Sequence, residues 1–258
     1  MRIVIKIGTS TIAHSTGRLN IRQVERLCKV VSDLKNAGHE VILVSSGAIG
    51  LGVGKLSLPG RPADMPSKQA AAAVGQCELM YTYDKLFMEY NHIVAQILLT
   101  GEDLIDETRS RNFQNTLFRL IEMGTIPIIN ENDTLATNEI TSVGDNDTLS
   151  ADVAVFAKAD LLVLLSDIDG LYTANPKEDE HAQLLPVILN VTDEIRALAG
   201  EKGSELATGG MVTKLNAAEI VTSQGTDMVI ANGRNPEALY DIAEGRAVGT
   251  RFVGRKQS

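Results

Sequence analysis

Apolar residues along this chain follow two alternating rhythms. Short β-branched runs, such as "RIVIKIG" near the start, "EVILVSSG" from residue 40 and "DLLVLLSDIDG" from residue 160, have the near-continuous apolar character of strands buried on both faces. Between them, apolar residues recur every three or four positions. Ile21, Val24, Leu27, Val31 and Leu34 mark one face of a helix that Gly38 stops. The same spacing predicts a long alanine-rich helix after Pro66, a helix over roughly 107–123, one in "NDTLSADVAVFAKA", one in "GGMVTKLNAAEIVTSQG" and a short one over 236–244. Strands are predicted in "HIVAQILLT", "TIPIINEND" and "MVIANG", with "GTRFVG" as a final edge. This alternation predicts an α/β fold, a three-layer sandwich with a mostly parallel central sheet between helices. No linker or repeat interrupts it, so residues 1–258 read as a single domain, with "TANPKEDEHAQL" as a mobile excursion.

Composition narrows the function classes. With 44% hydrophobic and 22% charged residues the usage is that of a globular protein, and the longest apolar runs, such as "LLVLL", are far too short to cross a bilayer. The chain enters strand pattern at once, leaving no room for a leader, so a cytoplasmic location and no membrane partner are expected. The net charge of −9 argues against nucleic acid as a partner. Cys28 and Cys77 form neither a disulfide framework nor a zinc cluster and read as core thiols. His14, His39, His92 and His181 are scattered without metal-ligand spacing, and no metal ligand is assigned.

Candidate chemistry collects where strands end, in "KIGTS", "VSSGAIG", "NENDT" and "SDIDG". In an open parallel sheet the carboxyl ends of strands share one rim, so these texts should meet in space. Lys6 is a charge inside an apolar strand; its stem packs on the sheet with the ammonium in water, or it joins Gly8, Thr9 and Ser10 in holding a phosphoryl group. Ser46 lacks the glycine two residues earlier that a nucleophile elbow needs, because Val44 stands there. The turn at Ser46 and Gly47 is either simply glycine-rich or a cradle for an anion such as a substrate carboxylate. Glu131, Asp133, Asp145, Asp147 and Asp152, interleaved with Asn130, Asn132 and Asn146, do not fit a calcium loop, since Ser150 and Phe156 occupy its glycine and glutamate positions. Helix capping accounts for part of this cluster as readily as function does; carboxylates and amides together also suit an acceptor carrying both an ammonium and a carboxylate. "TGGMVTK", residues 208–214, matches neither the G-x-x-x-x-G-K-[ST] nor the G-x-G-x-x-G spelling, so it reads as a phosphate grip of another class.

Taken together and in order, "KIGTS", "VSSGAIGLG", "KQAAAAVGQ", "INEND", "VGDNDTLSA", "SDIDGLY" and "TGGMVTK" resemble the glutamate 5-kinase branch of the amino acid kinase family, from residue 2 to about residue 252. The resemblance implies an enzyme that phosphorylates the side-chain carboxylate of L-glutamate with ATP and Mg²⁺, giving γ-glutamyl phosphate at the opening of proline synthesis. It implies catalytic roles for Lys6, Asp147 and Lys214. It implies glutamate contacts at Ser46, Gly47, Asp133 and Asn146. The ATP contacts it implies are Lys6, Gly8, Ser166, Asp167, Thr208, Gly209, Gly210, Met211, Val212, Thr213 and Lys214, with Met211 also suited to packing beneath the loop. Magnesium is expected mainly on the ATP phosphates. Many bacterial members carry a further C-terminal PUA domain, so this chain resembles a short form. A homo-oligomer (dimer or tetramer), feedback inhibition by proline and a downstream glutamyl phosphate reductase are further implications. Other acceptors in the family (aspartate, N-acetylglutamate, carbamate, a nucleoside monophosphate) and a silent amino-acid sensor are the alternatives. Retention of both lysines with Asp147 argues against the sensor, and an ionised carboxylate acceptor needs no general base, which suits a site with lysines and no histidine.

Overall fold

In a computed structural model of the chain, residues 1–135, 146–176, 178–199 and 210–255 are described. The first half runs β1 (Arg2–Ile7), α1 (Thr9–Ile12), α2 (Ile21–Asn36), β2 (Glu40–Ser45), α3 (Ala48–Lys55), α4 (Met65–Met88), β3 (Val94–Leu99), α5 (Gly101–Ile105), α6 (Glu107–Glu122) and β4 (Ile126–Glu131). The second runs α7 (Asn146–Phe156), β5 (Leu161–Ser166), β6 (Val187–Ile188), α8 (Asp193–Ala197), α9 (Met211–Ser223), β7 (Asp227–Asn232), α10 (Ala238–Ala243) and β8 (Thr250–Phe252). Local chemistry starts several helices: Asn20, Asp64 and Asp106 each accept a backbone N–H from the first turn of α2, α4 and α6.

The strands form one sheet in the order β3-β4-β2-β1-β5-β7-β8-β6, parallel throughout except where β7 meets β8. Successive residues of a strand point to opposite faces, and the core divides accordingly. Ile3, Ile5 and Ile7 of β1 pack with α2, α4 and α10, whereas Val4 packs with α6, α7 and α9. Each fully buried Ile or Leu in these layers contributes about 1.5–3 kcal/mol. Lys6 shares the parity of Val4, so it belongs to the face that α7 and α9 cover.

Helix α3 begins directly after the glycine-rich turn expected at Ser46 and Gly47 and was not itself anticipated. Its glycines serve close packing against α4: a Cβ on Gly52 would lie 1.8 Å from the Ala71 carbonyl oxygen, and one on Gly75 1.7 Å from that of Ala48. Tertiary contact thus overrides the poor helix propensity of glycine. Three further expectations need correction or qualification. The "GTRFVG" strand is not the edge, because β6 pairs outside β8. Cys77 is exposed on α4, on the side away from the sheet, while Cys28 is buried as expected. The "TANPKEDEHAQL" excursion is tied at its base, where Tyr172 bridges Leu184 and the Thr173 N–H donates to the Gln183 carbonyl. The short elements α1, α5, α8 and β6 carry too few residues to establish a period and were not anticipated. No helix among the described residues is long and apolar enough to cross a membrane.

Candidate active site

The carboxyl ends of β2, β1 and β5 lie side by side, with Ile7 in register with Ser45 on one side and Leu165 on the other. Strand order departs in opposite directions from β1, which makes this rim the place where a crevice opens. Gly8 leaves β1 close to β5, its N–H donating to the Leu165 carbonyl at 3.2 Å.

Helix α7 crosses below this rim and sets Asp147 in its first turn, where the helix dipole favours a carboxylate. Asp147 is 1% exposed. Its two oxygens face two cations from distant parts of the chain: Lys6 Nζ lies 2.7 Å from Oδ1 and Lys214 Nζ 2.9 Å from Oδ2. The Thr213 hydroxyl also donates to Oδ2, at 2.9 Å. Burial pushes the Asp147 carboxyl upward, but Lys6 and Lys214 together outweigh it and hold the group below the usual carboxylate range.

Lys214 sits in the first turn of α9, where a cation opposes the helix dipole. Its ammonium turns back to donate to the Gly210 carbonyl at 3.3 Å as well as to Asp147, and it is only 7% exposed. One carboxylate therefore holds two ammonium groups, and the described trio carries an excess of one positive charge. An uncompensated charge in a poorly hydrated site is costly, so this arrangement favours the arrival of an anion between the two lysines.

Beside this cluster stands a second, neutral one. The Asn146 side-chain N–H₂ faces three acceptors, Ser46 Oγ at 2.7 Å, the Ser45 carbonyl at 3.2 Å and Asn130 Oδ1 at 3.4 Å, and shares its two hydrogens among them. Gly47 follows with φ 95°, a left-handed conformation that glycine adopts without strain, and it turns the chain directly into α3. Asp133 lies three residues beyond Asn130, past the end of β4; burial pushes its carboxyl above the ordinary value, with the charge of Arg61 offsetting part of the rise.

Most of the residues singled out from sequence converge here. Lys6, Asp147, Thr213, Lys214 and Gly210 form the ionic group; Ser46 and Asn146 form the neutral group, joined to it through the Asn146–Asp147 peptide. Ser166 ends β5 on the same rim, its hydroxyl donating to Asp167 Oδ1 at 3.1 Å, and Asp167 is exposed. Met211 and Val212 are partly buried against the core, in keeping with a packing role for Met211. Thr208 and Gly209 lie outside the described residues, as does Asp145. Sequence reasoning gave no site role to Gln76, Asn130 or Arg61. The signal for Gln76 was available, since "KQAAAAVGQ" places a polar residue directly after the glycine that seats α4 on α3.

The described residues contain no group of three or more His, Cys, Asp or Glu side chains able to hold a metal ion, and the buried carboxylate at the centre already serves two ammonium groups. These described residues do not fit a protein-ligated metal.

Residues 1–232 match the profile of the Amino acid kinase family. The glutamate 5-kinase of Clostridium perfringens (strain 13 / Type A) is 51% identical over 258 residues, covering 99% of this chain and 96% of that protein. The glutamate 5-kinase of Clostridium acetobutylicum is 54% identical over 256 residues, again covering 99% and 96%. Among solved structures, carbamate kinase from Giardia lamblia bound to AMP-PNP superimposes with a TM-score of 0.70 at 18% identity, over 98% of each chain. UMP kinase from Bacillus anthracis does so with 0.68 at 17% identity, over 98% of this chain and 96% of that one. These two share the fold.

Proposed function

The chain belongs to the amino acid kinase family, and from that premise we propose that it is an ATP-dependent kinase of the side-chain carboxylate of L-glutamate, forming γ-glutamyl phosphate and ADP. The observation that carries the reading is the pair of buried ammonium groups, Lys6 and Lys214, held on opposite oxygens of Asp147. A carboxylate acceptor is ionised at neutral pH, so no base is needed. Catalysis rests on alignment and on neutralising charge spread over the phosphoryl oxygens in transfer.

In this reading Lys6 and Lys214 bracket the moving phosphoryl group, and Asp147 fixes both. The nucleotide lies along Gly8, Ser166, Asp167 and the 208–214 stretch, where the N-terminus of α9 offers backbone N–H groups. Glutamate lies against Ser46, Gly47, Asp133 and Asn146. At Asp133 desolvation outweighs the charge of Arg61 and raises the carboxyl, which suits a site that receives an ammonium group from its substrate. Magnesium, when bound with ATP, supplies further neutralisation of the phosphate oxygens, and no residue role above depends on it.

The working unit is a single domain in the cytoplasm that assembles as a homo-oligomer. Support for assembly comes from β3, an edge strand, and from the exposed Tyr81, Met88 and Ile93 beside it. Inhibition by proline and delivery of the acyl phosphate to a reductase complete the reading; the hydrolytic lability of a mixed anhydride supports prompt consumption of the product.

The test is ADP release from Mg-ATP by the purified protein with L-glutamate, L-aspartate and N-acetylglutamate in turn. Turnover with L-glutamate alone is expected. A preference for aspartate overturns the acceptor, and no turnover with any of them overturns the enzyme.

A further inference from the structure

Asn146 is one end of a file of four side-chain amides that runs from the acceptor pocket to the edge of the sheet. Its N–H₂ faces three acceptors, Ser46 Oγ, the Ser45 carbonyl and Asn130 Oδ1. Its own Oδ1 is turned the other way and is buried without a partner among the described residues. Asn130, 1% exposed, holds its Oδ1 toward Asn146 and the Glu131 N–H, at 2.9 Å from the latter, and sends its N–H₂ to Gln76 Oε1 at 2.9 Å. Gln76 in turn donates to Gln96 Oε1 on the edge strand β3, at 3.2 Å.

Asn130 and Gln76 point their donor ends toward the sheet edge, while Asn146 divides its N–H₂ among Ser46 Oγ, the Ser45 carbonyl and Asn130. Reversing any inner member would set N–H against N–H and carbonyl against carbonyl, so the direction is shared by all of them. Its consequence at the pocket is a buried carbonyl oxygen lacking a donor, which a substrate ammonium group would satisfy. The backbone at Gln76 is held in place, because the adjacent Gly75 lies against the Ala48 carbonyl with no room for a side chain.

We propose that Gln76 is a positioning residue that fixes the amide of Asn146, through Asn130, with its oxygen toward the ammonium group of the acceptor. The inference rests on the glutamate reading above and deepens it. Recognition of the ammonium is thereby divided between a charge, Asp133, and an oriented dipole, Asn146. The dipole selects an α-amino acid over a dicarboxylate of the same length without the amine.

The test uses steady-state ADP release with L-glutamate, together with inhibition by glutarate, which lacks the ammonium. Gln76→Met removes the acceptor for Asn130. It should raise KM for glutamate about tenfold, leave KM for ATP unchanged and leave glutarate inhibition within about twofold. Gln76→Glu retains an acceptor oxygen for Asn130 and should recover most of the glutamate affinity. Gln96→Met, at the exposed end of the file, should shift KM for glutamate in the same direction by about threefold, and it tests the file even where Gln76→Met does not fold. An unchanged glutamate KM in the folded variants overturns the positioning role alone, as does equal weakening of glutamate and glutarate. Absence of glutamate turnover in the unmutated protein overturns the reading beneath it.

Discussion

The two ends of β1 carry the same residue types to opposite effect. At its start, Arg2 pairs with Glu40 at 2.8 Å, donates to the Ala157 carbonyl, and stacks over the Phe118 ring at 5.0 Å, while its backbone N–H donates to Asp160. A hollow of about 430 Å³ opens there, lined by Arg2, Glu40, Lys158 and Asp160. At the far end, Lys6 and Lys214 share Asp147. In the first cluster the side chains of Arg2 and Lys158 are matched by those of Glu40 and Asp160, with 21% exposure for Arg2 and 47% for Glu40. The second, among the described residues, has one carboxylate for two cations and is almost closed, at 11%, 2% and 8%. A cavity with balanced charge has little to gain from a ligand. A nearly buried ion cluster with a cation in excess gains from an anion.

The comparison is broken most forcefully at Lys214. Lys214→Ala should lower kcat by about a hundredfold or more while glutamate binding, read by calorimetry, changes only modestly, because that charge acts mainly on the transition state. Equal losses in affinity and rate would make Lys214 a binding residue. Asp147→Asn should fall nearly as far, by about a hundredfold in kcat, since it releases both ammonium groups at once.

Asp133 sharpens the contrast through pH. Its carboxyl is raised by burial, and only the ionised form pairs with an ammonium, so KM for glutamate should climb as pH falls toward that raised value and level off above it. Asp133→Asn should raise KM by about tenfold and flatten the profile; a pH profile identical in the variant would remove Asp133 from the pocket.

Asp152 is the next step down. Burial pushes its carboxyl up to about 6, so the folded state binds this proton more tightly than the unfolded chain does. The resulting stabilisation is complete at acid pH below the unfolded value and is lost as pH rises through about 6. Asp152→Asn should therefore stabilise the fold at pH 8 by about 1 kcal/mol, after allowing for the partial exposure of the side chain, with a smaller gain at pH 5. Thermal melts at the two pH values decide it. Smallest of all, Arg2→Ala should cost about 1 kcal/mol of stability and leave kcat unchanged. A large loss of activity there would mean that the two ends of β1 are coupled.

Much of the layering was legible because burial imposes a period. The β1, β2 and β5 runs and the α2 face at Val24, Leu27 and Val31 needed no partner to be recognised. Lys6 and Lys214 were legible as violations: a charge in an apolar strand, and a cation in a helix first turn, each break a local preference that only function repays. Helix α3 was less so, because its glycines carry turn propensity and its packing against Ala71 lies outside the local text.

By itself, then, the sequence determined the alternation of elements, the anomaly of a charge at Lys6 within an apolar strand and the polar strand ends, since these depend on residues within a few positions of one another. Only the tertiary structure decided that residues 6 and 214 meet on the two oxygens of Asp147, that Gln76 and Gln96 reach Asn146 through Asn130, and that β6 covers β8. The physical reason is that these contacts join segments far apart in the chain, and chain separation carries no information about which side chains the sheet will bring within hydrogen-bonding reach.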